Sequence, residues 1–406
     1  MFIARQPIFN KKEKVYGYEL LYRINETSTE YSSFSSQSAT ATVINGLFIH
    51  GFEKIINKKK AFINFDADVL KEDFFHLISP EYLVIEILED VEITKELINR
   101  VREIKEEGYK IALDDFVESY SEYPLIQYAD IIKFDIRETP LHTIKYEVLR
   151  AIRDKKIILA EKIETREEYS IAKDMGFQLF QGYFFSKPKI IEGIEGKKSI
   201  NPNYLQIIEE LQSEEPSYQV ISEIIERDAN LTFKLLRTID HRAKTDSIYS
   251  IKRALTYLGL NELNYWITLL LIQDMGKDKP KELLNISLIR SKFALKIAEK
   301  SDLKKLKLEA SLMGLLSNID AFLDLPIDEV LQQIKVTKRI KKALIHHKGL
   351  LGDLLNLIIF YERGQWEEIN SYCEQLNIKS DELSKYYFES INETNNIISR
   401  IGQWNK

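Results

Sequence analysis

Lys110-Ile111-Ala112-Leu113-Asp114-Asp115 is a short β-rich run that stops abruptly on two acids. It follows an amphipathic segment, Lys95–Gly108, whose closing glycine suits a helix C-cap. The same arrangement recurs on both sides. Upstream, Val15-Tyr-Gly-Tyr closes on Glu19, Ala61-Phe-Ile closes on Asn64, and Leu83-Val-Ile-Glu-Ile carries Glu86. Downstream, Asp130-Ile-Ile runs into Lys133, Ile157-Ile-Leu-Ala into Glu161, and Phe177-Gln-Leu-Phe into Gln181. Short β-rich runs separated by longer helix-like segments predict parallel strands with crossover helices. In a closed α/β barrel of that kind, the strand C-terminal ends meet at one face, where catalytic groups collect. The set therefore reads as a single site, rich in hard oxygen donors plus one lysine, and it points to metal-assisted phosphate chemistry.

The residue types say what each could do. Glu19, Asn64, Glu86 and Asp114 offer oxygen donors suited to Mg²⁺ or Mn²⁺. Asp115 follows Asp114 at a strand end and points to the other face of the pleat, unless the strand breaks there and lets it serve a second ion. Adjacent aspartates can bridge two metals about 4 Å apart, a pair that activates water and neutralises a phosphodiester. Lys133 can hold the attacking water or steady developing negative charge, and Glu161 can ligate or orient that water. Any one carboxylate near a strand end is more often a solvated loop residue or a cap. Five strand ends each offering such a group are harder to explain that way, because polar groups beside apolar runs must find buried partners.

The chain has 406 residues, enough for two domains with substantial cores. With 63 acidic and 57 basic residues its net charge is −6, which gives no electrostatic reason to expect nucleic-acid binding. Cys373 is the single cysteine, which excludes an internal disulfide framework and a cysteine-based zinc site. The N-terminal residues lack the pattern of a signal peptide, and no stretch approaches the roughly 18 apolar residues of a membrane span, so a cytoplasmic location is expected. Character changes near residue 195. The polar stretch Gly193–Pro202 reads as a linker, and beyond it almost only helix-period patterns occur, including Tyr218–Ile225, Leu231–Ile239, Ser250–Leu258, Leu284–Ser301 and Leu351–Arg363. The expected organisation is an α/β barrel over 1–195 and an all-helical domain over 200–406.

Tyr18-Glu19-Leu20-Leu21-Tyr22-Arg23 resembles the signature that gives EAL domains their name, and the remaining motifs follow in order: Phe62-Ile63-Asn64, Glu86-Ile87-Leu88-Glu89, Leu113-Asp114-Asp115-Phe116, Lys133-Phe134-Asp135, Ala160-Glu161 and Phe180-Gln181-Gly182-Tyr183. EAL domains are TIM-like barrels that hydrolyse cyclic di-GMP to linear pGpG with two Mg²⁺ or Mn²⁺ ions. The resemblance implies that Glu19, Asn64, Glu86, Asp114 and Asp115 hold the metals and that Lys133 and Glu161 manage the water. It further implies that Arg23, Leu21 and Gln181 meet the substrate, that Glu89 braces the loop beyond the paired aspartates, and that two barrels form a homodimer.

That loop is where the chain departs from the family pattern. EAL domains usually continue Asp-Asp-Phe with Gly-Thr-Gly or Gly-Ala-Gly; here Val117-Glu118-Ser119 follows, with no glycine before Lys133. Any turn that relied on glycine must be made another way. Leu20 also stands where the signature has alanine, and the segment between Lys133 and Glu161 is short for the family.

In the second half, Ile225–Arg237 and Ser250–Gly259 resemble the opening helices of HDOD domains, non-catalytic relatives of HD phosphohydrolases, and Ala4-Arg5-Gln6-Pro7-Ile8-Phe9 opens a barrel of the subtype that precedes them. Where HD enzymes place a His-Asp dyad after Gly-Leu-Leu, this chain has Ser317-Asn318 after Gly314-Leu315-Leu316. A hydroxyl and a neutral amide do not replace imidazole and carboxylate. His346 and His347 are adjacent on a helix and so diverge by about 100°, which favours a solvated or capping role. The expectation is a cyclic di-GMP phosphodiesterase whose helical module binds an unidentified protein partner. The alternative is a catalytically weak or inactive cyclic di-GMP sensor acting through that module.

Overall fold

The computed structural model describes residues 2–23, 52–71, 73–117, 120–187, 202–211, 213, 215–240, 250–275, 279–334 and 336–404. The expected linker, apart from Pro202, and Glu118 and Ser119 of the non-glycine loop lie outside them. Among the described residues no single helix is long and apolar enough to cross a membrane.

Eight strands close a barrel in chain order: β1 Phe2–Asn10, β2 Val15–Arg23, β3 Lys60–Phe65, β4 Leu83–Ile87, β5 Lys110–Leu113, β6 Ile131–Asp135, β7 Ile157–Glu161 and β8 Leu179–Gln181. From β2 to β8 every neighbour is parallel. The runs expected to be parallel are so; β1, which was not among them, runs antiparallel to both β2 and β8. The reason is local. Only four residues separate β1 from β2, too few for a crossover and enough for a hairpin, and Glu13 makes the turn at φ 54°.

Strand side chains alternate with period two, and that period builds the interior. Ile8, Phe62, Val84, Ala112, Ile131, Leu159 and Leu179 form one buried apolar cluster. Gly17 leaves room for it, because a Cβ there would lie 2.8 Å from the Phe62 ring. Two residues along each strand from these positions stand Gln6, Glu19, Asn64, Glu86, Asp114, Lys133, Glu161 and Gln181. The apolar layer thus seals the barrel beneath a polar one, and both come from a single alternation.

Caps fix the helices between strands. Thr94 accepts from the Leu97 amide at the start of Lys95–Glu106, and Gly108 follows that helix at φ 94°. Thr165 and Glu168 form a capping box at Arg166–Met175, which ends on left-handed Gly176.

The compact unit built on the barrel comprises Met1–Lys187 together with Ile359–Ser371 and Lys379–Asn392, segments that the sequence-based division assigned to the helical half. Tyr361 and Trp366 are buried in it; the Tyr361 hydroxyl donates to the Ile3 carbonyl at 2.9 Å, and Trp366 stacks on Phe2 with centroids 5.4 Å apart. The second unit is helical in its described residues, running from Pro202–Leu211 through Lys338–His346. Within it, Lys281–Glu299 and Lys307–Leu316 approach backbone to backbone, since a Cβ at Gly314 would lie 2.5 Å from the Arg290 carbonyl oxygen. His347 caps Lys338–His346 at φ 52°, and its Nδ1 is hydrogen-bonded to Asn356.

Candidate active site

Lys133, on β6, is completely buried, and its ammonium is the hub of the polar layer. Its Nζ lies 2.6 Å from Asp114 Oδ1, 2.7 Å from Glu86 Oε1, 3.1 Å from Glu161 Oε1 and 3.8 Å from Glu19 Oε1. Burial alone would favour the neutral amine. The carboxylates of Glu161, Glu19, Glu86 and Asp114 outweigh it and hold the Lys133 pKa well above the ordinary lysine value. One ammonium cannot balance four carboxylates. Burial, only partly offset by Lys133, accordingly pushes both Glu86 and Glu161 well above the usual carboxylate range.

Asp115 completes the acidic side. β5 ends at Leu113, and Asp115 adopts φ 34°, a left-handed turn that aspartate tolerates better than most residues. The strand therefore breaks where the sequence allowed it to, and the two aspartates converge. One carboxylate oxygen from each of Asp114, Asp115 and Glu161 lies within 4.8 Å of the others. Burial first, and Asp114 second, push the Asp115 carboxyl up to about 6. Lys162 faces this edge, paired with Asp135 and 3.9 Å from Asp115.

Gln181 closes the ring from β8. Its Nε2 donates to Glu19 Oε2 and, at 3.1 Å, to Gln6 Oε1. The next residue, Gly182, has φ 138°, and a Cβ there would lie 2.1 Å from the Ile163 carbonyl oxygen. Only glycine fits that crossing of the β7 and β8 loops.

A cavity of about 420 Å³ opens over the polar layer, lined by Glu19, Leu21, Asp114, Asp115, Glu161 and Gln181 among others. The structure thus brings most of the expected site residues to one rim. Arg23 is half-exposed at the end of β2, 3.8 Å from Glu367, and does not line the cavity. Glu89 is exposed just beyond β4, and most of the loop it was expected to brace lies outside the described residues. Arg137, Lys162 and Arg363 do line the cavity, and sequence reasoning missed all three. Arg137 and Lys162 each follow a strand-end motif by two or fewer residues, a signal that could have been followed; Arg363 had none.

The donor set fits a hard divalent cation. Asn64 Oδ1, Glu86 Oε2 and Glu161 Oε2 are buried without a hydrogen-bond donor, a costly state that a cation would relieve. Carboxylates and a carboxamide, with no sulfur or imidazole among them, suit Mg²⁺ or Mn²⁺.

Fold and site together define an α/β-barrel protein with a cluster of carboxylates at the barrel's rim, joined to a helical unit. Residues 1–188 match the EAL domain family and residues 198–342 the HDOD domain family. The chain belongs to the family that joins the two. It is 35% identical to the uncharacterised protein YuxH of Bacillus subtilis over 98% of this chain and 99% of that one. It is 33% identical to the cyclic di-GMP phosphodiesterase CdgJ of Vibrio cholerae over 96% of this chain and 91% of CdgJ. Among solved structures, the Bacillus subtilis YkuI protein, an EAL-domain protein in complex with substrate cyclic di-GMP and calcium, is 21% identical with a TM-score of 0.39, over 57% of this chain and 72% of that one.

Proposed function

We propose that the chain is a cyclic di-GMP phosphodiesterase that opens the ring to linear pGpG. The observation that carries this is the polar layer itself: five carboxylates with the carboxamides of Gln6, Asn64 and Gln181 around a buried lysine, with Asn64 Oδ1, Glu86 Oε2 and Glu161 Oε2 among the oxygens lacking donors, under an open cavity. The match to CdgJ across nearly the whole chain supplies the substrate class.

Glu19, Asn64, Glu86, Asp114 and Asp115 would hold two Mg²⁺ or Mn²⁺ ions, with Glu161 at their edge. When bound, the ions supply charge neutralisation for the phosphodiester and acidify water. The protein's own groups do the rest. Lys133 donates hydrogen bonds to the attacking water and fixes its approach to phosphorus. Glu161, 3.1 Å from Lys133 Nζ, orients that water and accepts the proton it releases. Water oxygen bonds to phosphorus, the bond to the 3′-oxygen breaks, and the leaving oxygen takes up a proton. Gln181 restrains Glu19 throughout.

Purified protein with Mn²⁺ should convert cyclic di-GMP to pGpG, followed by chromatography, and Glu19→Ala should remove the activity. Absence of turnover with either metal sinks the proposal, and tight binding without turnover would make the protein a sensor instead. We also propose cytoplasmic action, consistent with the free, buried Cys373. A barrel homodimer is proposed as well. On helix Lys145–Arg153, Tyr146 and Leu149 are 75% and 53% exposed one turn apart, an apolar stripe that a second copy would cover. The helical unit would recruit its partner through exposed apolar residues such as Phe233 and Tyr257.

A further inference from the structure

We infer that Arg363 is a substrate-binding residue, reaching the barrel's cavity from a segment outside both matched domains, and that it holds the phosphate of the cyclic dinucleotide that is not being cleaved. The inference rests on the proposed substrate. The EAL match ends at residue 188 and the HDOD match at residue 342, so neither accounts for Arg363.

Its placement is built, not incidental. Helix Leu350–Glu362 ends at the barrel, where Gln6 Nε2 donates to the Glu362 carbonyl at 3.4 Å and the Tyr361 hydroxyl bonds Ile3. The chain then turns at Gly364, with φ 69°. A Cβ at that position would lie 2.9 Å from Leu21 Cδ1, so the backbone runs directly against the signature strand. Trp366, stacked on Phe2, pins the far side of the turn. Arg363 and Gln365, on either side of Gly364, both line the cavity that also exposes Glu19, Asp114 and Glu161.

Its chemistry suits an anion. Of the three cavity-lining cations, Arg137 is paired with Glu164 and Glu168, and Lys162 with Asp135. No described carboxylate pairs with Arg363; its guanidinium lies 4.6 Å over the Tyr183 ring. Stacking on an aromatic face fixes the plane of a guanidinium and leaves its in-plane N–H fork available to a phosphate. Arg23, the arginine expected from the signature, instead lies 3.8 Å from Glu367. A cyclic dinucleotide carries two phosphates; with one over the polar layer, the other extends toward the rim, where a free fork matters most.

The test is steady-state kinetics and equilibrium binding of cyclic di-GMP on the full chain, comparing wild type with Arg363→Ala and Arg363→Lys. A charge-assisted bidentate contact made equally in ground and transition states predicts a KM raised about 10- to 100-fold in Arg363→Ala with kcat within about 3-fold. Arg363→Lys should recover only part of the loss, since a point charge lacks the fork. Binding in EDTA should weaken by a similar factor, with thermal unfolding unchanged. An unchanged KM and affinity in Arg363→Ala overturns the inference, as does a fall in kcat alone. If wild type neither binds nor turns over cyclic di-GMP, the proposed substrate fails first, which is a distinguishable result.

Discussion

Two regions of this molecule bury a cation among polar groups, and they treat it in opposite ways. In the barrel, Lys133 faces four carboxylates, and oxygens of Asn64, Glu86, Glu161 and Gln181 in the same layer have no hydrogen-bond donor. In the helical unit, Arg290 donates to Ser317 Oγ and Asn318 Oδ1, both at 3.1 Å, and Asn318 in turn donates to Ser287 at 3.1 Å. Ser317 and Asn318 are the residues that stand where a metal-binding dyad would be in an HD enzyme. There the guanidinium meets a hydroxyl and an amide oxygen, and its charge also acts on the carboxyl of Asp320. In the barrel, negative charge exceeds the available positive charge, and the layer opens to a cavity. Charge excess beneath a cavity, rather than unmet polar demand as such, sets the barrel layer apart, since Asn264, Tyr265, Asn285 and Glu309 of the helical unit also bury side-chain atoms without a hydrogen-bond partner.

The largest expected effect breaks that symmetry directly. Asp114→Asn removes a charged oxygen from the cation site and should cost at least about 10³-fold in turnover, since ligand charge there is worth several kcal/mol. Arg290→Met should leave kcat within about 2-fold yet destabilise the helical unit by about 1–3 kcal/mol, the cost of leaving buried acceptors unpaired. Kinetics and denaturant unfolding on both variants decide the matter. Retained turnover in Asp114→Asn would place the chemistry elsewhere.

Metal addition is next in size. Mn²⁺ at 100 times its dissociation constant should stabilise the barrel by about 2.7 kcal/mol. Hydrogen exchange should localise that protection to β3–β7 and leave amides of Lys281–Glu299 unchanged. Equal protection in both units would erase the distinction between them.

The pH dependence follows from the same excess charge. Glu86 and Glu161 have folded pKa values raised well above the ordinary range, and Asp115 is raised to about 6. A raised acid favours its protonated form in the fold, so the stability it contributes to the metal-free protein is complete below its unfolded value and is lost as pH rises through the folded one. Lys133, raised as well, keeps its contribution across this window and loses it only above the ordinary lysine range. Metal binding needs the carboxylates ionised and works in the opposite sense. The rise in melting temperature caused by Mn²⁺ should therefore grow from pH 5 to pH 8, and Asp115→Asn should flatten the part near pH 6. A metal effect independent of pH would contradict the charge excess.

How much of this was legible before folding depends on range. Period two along each strand fixed which residues share the polar layer, so Asn64, Glu86, Asp114, Lys133, Glu161 and Gln181 could all be found from their own flanking residues. The Lys95–Glu106 helix carried its stop in Gly108. β1 was not among the strand runs read from the sequence, although its short connection to β2 already requires a hairpin. Arg363 was not legible at all, because its role depends on Tyr361, Gly364 and Trp366 meeting Ile3, Leu21 and Phe2 across more than three hundred residues of sequence. Helical periodicity reports that a face is buried; it does not report against what.

The smallest effect concerns the loop that lacks glycine. A glycine-rich stretch after the paired aspartates matters if the backbone turn lies there, but in this chain the left-handed residue is Asp115 itself, at φ 34°. The following residue is already anchored: the Phe116 amide donates to the Lys133 carbonyl at 2.9 Å, and its ring packs edge-on against Tyr123 and Phe134. Val117, next along, is 58% exposed, so its side chain contributes little to holding the aspartates. Replacing 117–119 with Gly-Thr-Gly should then change kcat/KM by no more than about 3-fold, the range of an ordinary surface substitution. A gain of tenfold or more would relocate control of the acidic pair from the Asp115 turn to the loop beyond it. The barrel's demand for cations would then be set by a movable segment, and its contrast with the Arg290 network would be one of dynamics as well as charge.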